Sequence, residues 1–155
     1  MINVDNMEDH MTRHLLREHC FKILFVLDFY PEEEVEIQTD NYFESPSLED
    51  EEDALIHDAN YSDGDIEYIK SKAMLVIERR PEIDQIISDL SQGWKLERIG
   101  RVERNILRLA IAEMKYDSDI PVSVAINEAV ELAKTFGRYE SYSFVNAILS
   151  KVEVE

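Results

Sequence analysis

In the last third of this sequence apolar residues recur three and four positions apart, and no stretch of the chain alternates with period two. Side chains at that spacing share one face of a 3.6-residue turn, whereas a half-buried strand needs strict alternation, so the pattern predicts an all-α fold. The segment from Arg101 to Tyr116 constrains the fold most. Val102, Ile106, Leu107, Leu109, Ala110 and Met114 make it apolar almost all round, which predicts a central helix covered by its neighbours. Pro121 opens a following helix through Val124, Ala125, Ala129, Val130, Leu132 and Ala133, and Gly137 closes it as a C-terminal cap. Ser141 or Ser143 starts a last helix carrying Phe144, Val145, Ile148, Leu149 and Val152.

Earlier in the chain, Thr12 can cap a helix with Leu15, Leu16, Cys20, Ile23, Leu24 and Leu27 on one stripe, widened by Phe21, Phe25 and Val26 and stopped by Pro31. Ser62 or Asp63 begins a helix with Ile66, Ile69, Ala73, Val76 and Ile77 on one side, ending near Arg79 and Arg80 because Pro81 disfavours helical geometry before it. Pro81 suits the first position of the next helix, which carries Ile83, Ile86, Ile87 and Leu90 to a stop at Gly93. Trp94, Leu96 and Ile99 then form an apolar connector. Residues 1–11 lack a periodic pattern and read as a frayed tail. The rest, 12–155, reads as one helical domain with subdomains at about 12–80 and 81–153.

The net charge of −18 argues at first against a nucleic-acid partner. Its distribution changes that reading. Residues 28–67 contain sixteen Asp and Glu and no Lys or Arg, so the other segments hold 18 acids against all 16 bases. Charge of one sign at this density marks a solvated stretch, so 31–60 is read as an acidic surface insertion, with a short helix from Pro46 or Ser47 through Ile56. Shortening residues 32–45 is then expected to leave the fold intact and to relieve repulsion of random RNA. No apolar run reaches the roughly 18 residues of a membrane span, the start is acidic rather than signal-like, and lone Cys20 has no disulfide partner, which together predict a cytoplasmic protein.

Four stretches carry a resemblance: WKLERI at 94–99, RVERNILRLA at 101–110, DIPVSVAINEAVELAKTFG at 119–137 and FVNAILSK at 144–151. They closely resemble the NusB family, with a weaker match at Arg17 and Glu18 and the apolar helix that follows. The resemblance implies two small helical bundles packed together. It also implies a non-enzymatic RNA-binding factor that pairs with ribosomal protein NusE, binds boxA RNA in nascent ribosomal RNA transcripts and serves the RNA polymerase antitermination complex. A homologous domain precedes the methyltransferase domain of some RNA cytosine methyltransferases. The chain ends at Glu155 without a glycine-rich methyl-donor loop, so the stand-alone protein is expected. The rival readings are a scaffold that keeps the NusE surface without useful RNA affinity, and a detached module of an RNA methyltransferase.

By resemblance, Arg13, His14 and Arg17 lie where the family carries an arginine-rich, RNA-meeting N-terminus, and such cations neutralise phosphate without reading bases. The bland alternative is a solvated helix face. Phe144 falls where the family places an aromatic on its RNA side, and Phe25 matches on the first helix; an aromatic there stacks on unpaired bases, or else is simply core. Lys95, Arg98, Arg101, Arg104 and Arg108 would form a cationic stripe if one helix ran through them, but Gly100 interrupts it. Arg104 and Arg108 are therefore weighed as RNA contacts against internal ion pairs with Glu113 or Glu131, and the resemblance puts Glu103 in the region that meets NusE or RNA. Asn127 reads as a buried amide bracing the turn before Pro121. His10, His14 and Glu18 lie at i, i+4 and i+8, but a closed zinc site needs four convergent ligands, so neither a metal nor any other cofactor is expected, nor a catalytic residue.

Overall fold

The computed structural model describes residues 11–44, 61–92 and 95–154. Among them are seven α-helices and no strand: α1 Arg13–Leu27, α2 Val35–Glu44, α3 Asp63–Glu78, α4 Arg80–Leu90, α5 Arg101–Tyr116, α6 Val122–Phe136 and α7 Ser141–Leu149. Short 3-10 turns occupy Glu32–Glu34 and Leu96–Arg98. The backbone divides into two compact units, Met1–Ala73 and Met74–Glu155. The tail up to residue 10, the helix expected from Pro46, and the stop at Gly93 with Trp94 after it lie outside the described residues.

In the first unit, α1 begins where Thr12 Oγ1 accepts a hydrogen bond from the Leu15 amide at 3.1 Å, satisfying one of the amides a helix start leaves open. Leu16, Cys20, Ile23, Leu24 and Leu27 are buried at the spacing the sequence predicts, and Phe21 joins them at 1% exposure. At the start of α3, Ser62 and Asp65 cap each other. The Asp65 amide donates to Ser62 Oγ at 3.0 Å and the Ser62 amide to Asp65 Oδ2 at 3.1 Å. Asp65 Oδ1 also accepts from the Met11 amide at 3.3 Å, so one buried carboxylate secures the entries to α1 and α3.

The acidic segment departs from expectation. Residues 35–44 are not a solvated insertion but helix α2, with Val35, Thr39 and Tyr42 buried at i, i+4 and i+7. Four of the six acids from 32 to 44, Glu32, Glu33, Glu34 and Glu36, lie before and within the first turn, where the positive end of a helix dipole tolerates them.

In the second unit, α5 is buried without a break from Asn105 to Met114, as expected of a central helix, and it packs with α4, α6 and α7. Asn127 is exposed, so it is not the buried amide expected; the α5–α6 turn is closed instead by the Ile120 amide donating to Asp117 O at 3.2 Å. Gly137 ends α6, its amide donating to Ala133 O at 2.9 Å. Its backbone is extended, so φ is not what calls for glycine. Space is: a Cβ there would fall 2.6 Å from Ser141 Cβ and 2.6 Å from Ala133 O. Gly137→Ala should therefore cost about 1–3 kcal/mol through forced displacement of α7, and an unchanged thermal midpoint would refute that close approach.

Candidate nucleic-acid interface

The residues singled out in the first unit fall into open and closed sets. Arg13 is exposed at the start of α1, its guanidinium 5.3 Å from the Tyr68 ring centroid, with Nη1 donating to Tyr68 Oη at 3.5 Å. His14 is exposed and sits 3.3 Å from the Glu18 carboxylate one turn on. Arg17 is buried, at 4% exposure, so it occupies neither a solvated face nor an open phosphate site in this conformation. Lys22 is buried too, and its desolvation pushes the ammonium below its ordinary pKa, the Glu18 carboxylate acting in the opposite sense. Phe25 is half-buried within a row of rings, 6.1 Å from Phe21 and 5.3 Å from Phe29, which is itself 54% exposed.

Sequence spacing gave no sign of a buried polar cluster in this unit. His19, beside the candidate metal set, is buried with Nδ1 2.8 Å from Tyr42 Oη and 3.5 Å from Tyr61 Oη. Burial and the neighbouring Tyr61 hold the Tyr42 hydroxyl far above the usual tyrosine range, so it stays protonated and available as a donor. Groups 23 and 42 residues apart in sequence meet here, a distance that helical periodicity does not address. Among the described residues no cluster of three His, Cys, Asp or Glu is placed to hold a metal ion.

In the second unit the cationic stripe is split by Gly100. Lys95, Arg98 and Arg101 are exposed, Arg104 is half-buried with Nη1 donating to Leu96 O at 3.4 Å, and Arg108 is buried. Arg108 makes a two-pronged ion pair with Asp84 of α4, Nε to Oδ1 at 2.7 Å and Nη2 to Oδ2 at 2.9 Å. Of the two partners expected, Glu131 pairs with Lys134 at 3.5 Å and Glu113 is buried within α5.

Glu103 turns its carboxylate back toward Gly100, and its Oε2 accepts from Ser141 Oγ at 2.6 Å. The same Ser141 Oγ accepts from the Arg138 amide at 2.9 Å, so Glu103 fixes the start of α7. Phe144, half-buried, lies on that helix at the edge of the buried stripe formed by Ser141, Val145 and Ile148.

The first unit thus presents an exposed Arg13 at the start of α1 and part-exposed rings at its end, and the second presents exposed cations around the start of α5 and a half-buried Phe144 near the start of α7, on a scaffold of buried aliphatic side chains. These helices define an all-helical protein whose surface carries cations beside aromatic rings. The sequence profile of the NusB family matches residues 14–154, and the chain belongs to that family, whose members are non-enzymatic transcription antitermination factors. Transcription antitermination protein NusB of Lachnoclostridium phytofermentans is 43% identical over 143 residues, 92% of this chain and 98% of that protein. Among solved structures, NusB of T. maritima is similar at a TM-score of 0.76 and 32% identity, covering 92% of this chain and 90% of that one. A chain in a crystal structure of the antitermination factors NusB and NusE in complex with dsRNA shares the fold at a TM-score of 0.67 and 24% identity, covering 89% and 92%. Among the described residues no helix is long and apolar enough to cross a membrane.

Proposed function

We propose that this chain is an RNA-binding antitermination factor of the cytoplasm that pairs with ribosomal protein NusE. Together the two bind the boxA element of nascent ribosomal RNA transcripts and join the antitermination complex on RNA polymerase. The observation that carries the reading is the match to proteins of that name along 92% of the chain, and a protein of the same fold has been crystallised with NusE and dsRNA. Arg13 and His14 contact phosphate at the start of α1, with Arg104 doing so in the second unit, while Phe144 and Phe25 offer ring faces to unpaired bases. Arg108 and Glu103 act from inside, holding α4 to α5 and fixing the start of α7, while Arg17 is buried in α1. Neither protein alone needs a large RNA surface, because pairing converts two modest surfaces into one bivalent site.

The test is a filter-binding titration of boxA and random RNA against the chain, NusE and their mixture. RNA should bind the mixture more tightly than either protein, and light scattering should find a one-to-one complex. Arg13→Ala should weaken binding to both RNAs and reduce the salt slope by about one, whereas Phe144→Ala should lower the preference for boxA. The burial of Arg17 and Arg108 favours one second reading, a scaffold that retains NusE but lacks useful RNA affinity. A stable NusE complex indifferent to boxA would establish that reading in place of the first.

A further inference from the structure

The corner between α6 and α7 presents a side chain that none of the assignments above uses. Tyr139 is 91% exposed, far more than any other large apolar residue among those described. An aromatic ring standing almost wholly in water is unfavourable by its own hydration, and a mobile loop would let it fold back. This corner is not built to let it. On one side Gly137 is wedged against Ser141, and Ser141 Oγ joins the Arg138 amide at 2.9 Å to Glu103 at 2.6 Å. On the other, Glu140 takes the left-handed conformation at φ 80°, which a residue with a Cβ adopts at a cost. Tyr139 is thus clamped between two fixed neighbours.

The surrounding charge says what kind of partner would come. Arg138, beside Tyr139, is exposed, and Lys134 lies one turn earlier on α6 with its Nζ 3.5 Å from Glu131; the acids at the corner are Glu140 and Glu103, and Ser141 holds the Glu103 carboxylate. Lys134 Nζ lies 5.5 Å from the ring centroid of Tyr142, a second part-exposed aromatic at 41%. Rings interleaved with cations suit an unpaired polynucleotide, whose bases offer π-faces and whose backbone offers negative charge at short, regular intervals. An acidic protein segment would match the cations but leave the clamped ring without a flat partner.

We infer that Tyr139 is a base-stacking residue for single-stranded RNA, with Arg138 and Lys134 meeting the phosphates on either side. This rests on the RNA-binding reading above. Stacking requires a flat ring, so the series at 139 has a definite order. In the full chain with NusE, Tyr139→Ala and Tyr139→Leu should each bind single-stranded boxA RNA roughly 5- to 150-fold more weakly, and Tyr139→Trp should match or exceed the parent. Circular dichroism should be unchanged in all three, given the exposure of the side chain. With 2-aminopurine walked through the RNA, one position should lose its fluorescence change in Tyr139→Ala. If the parent binds no RNA, the functional reading fails and takes this inference with it. If the parent binds and Tyr139→Ala binds equally well, this inference alone is overturned. A variant that loses NusE affinity while RNA binding by the preassembled pair is unchanged would make the corner a protein surface, and would overturn it as well.

Discussion

Arg108→Ala should lower the stability of the second unit by about 3 kcal/mol, enough to shift the thermal midpoint by roughly 6–12 °C in a chain of this length. Its side chain is 7% exposed and both prongs engage Asp84, whose side chain is 21% exposed, so removing it strands a carboxylate that has already given up most of its water. A surface pair of the same composition would contribute well under 1 kcal/mol, and the difference is burial. Arg108 Nη1 also donates to Asn105 Oδ1 at 3.4 Å, and Asn105 Nδ2 donates to Arg101 O at 2.9 Å, so the loss would spread along α5. The double variant Arg108→Met with Asp84→Leu should recover much of the stability, because it removes the stranded charge as well as the pair. If that double variant melts like the parent but has lost RNA affinity, Arg108 touches RNA and the structural assignment is wrong.

Tyr42→Ala should be as damaging to the first unit, at about 3–5 kcal/mol, since it empties a buried aromatic site and takes the hydroxyl 2.8 Å from His19 with it. Tyr42→Phe isolates the polar part and should cost about 1 kcal/mol. Removing residues 35–44 altogether should abolish cooperative unfolding of this unit, the opposite of what an inert acidic insertion would do. Urea denaturation followed by far-ultraviolet circular dichroism distinguishes the two, and an unchanged midpoint and slope in the deletion would restore the insertion view.

Helix α2 shows where reading the sequence goes astray. Val35, Thr39 and Tyr42 have helical spacing, but a threonine in the middle of the stripe and five acids between 32 and 40 hide it. A charge count treats those acids as solvated, whereas three of them form the turn that leads into the helix, where its dipole accommodates them. The starts of the other helices were legible to within a residue or two, α5 most of all, because its apolar positions recur without a gap from Ile106 to Met114, whereas α7 ends at Leu149, three residues before the expected Val152. The family was legible because its longest matching stretch is continuous, and it falls on α6, which packs with both α5 and α7.

The candidate site was less legible. Arg17 read as an open cation and is enclosed, and Arg108, weighed between RNA and an internal ion pair, takes the ion pair with a partner that was not foreseen. Arg108 and Asp84 are 24 residues apart, and Glu103 and Ser141 are 38 apart. Spacing rules reach only three or four residues along a helix, so pairs of this kind appear only when the chain has folded.

The continuous burial of α5 from Asn105 to Met114 also has a consequence for synthesis. The helix leaves the ribosome before α6 and α7, which supply much of its cover, and 35 residues separate Met114 from the end of α7 at Leu149. At ordinary elongation rates that interval lasts about 2–7 s. For that time the nascent chain displays the faces of α5 that α6 and α7 will cover, with only α4 of its partners in place. How long it needs shielding by a chaperone is fixed by the order of the helices along the chain and by the speed of translation, and strengthening the finished fold would not shorten it.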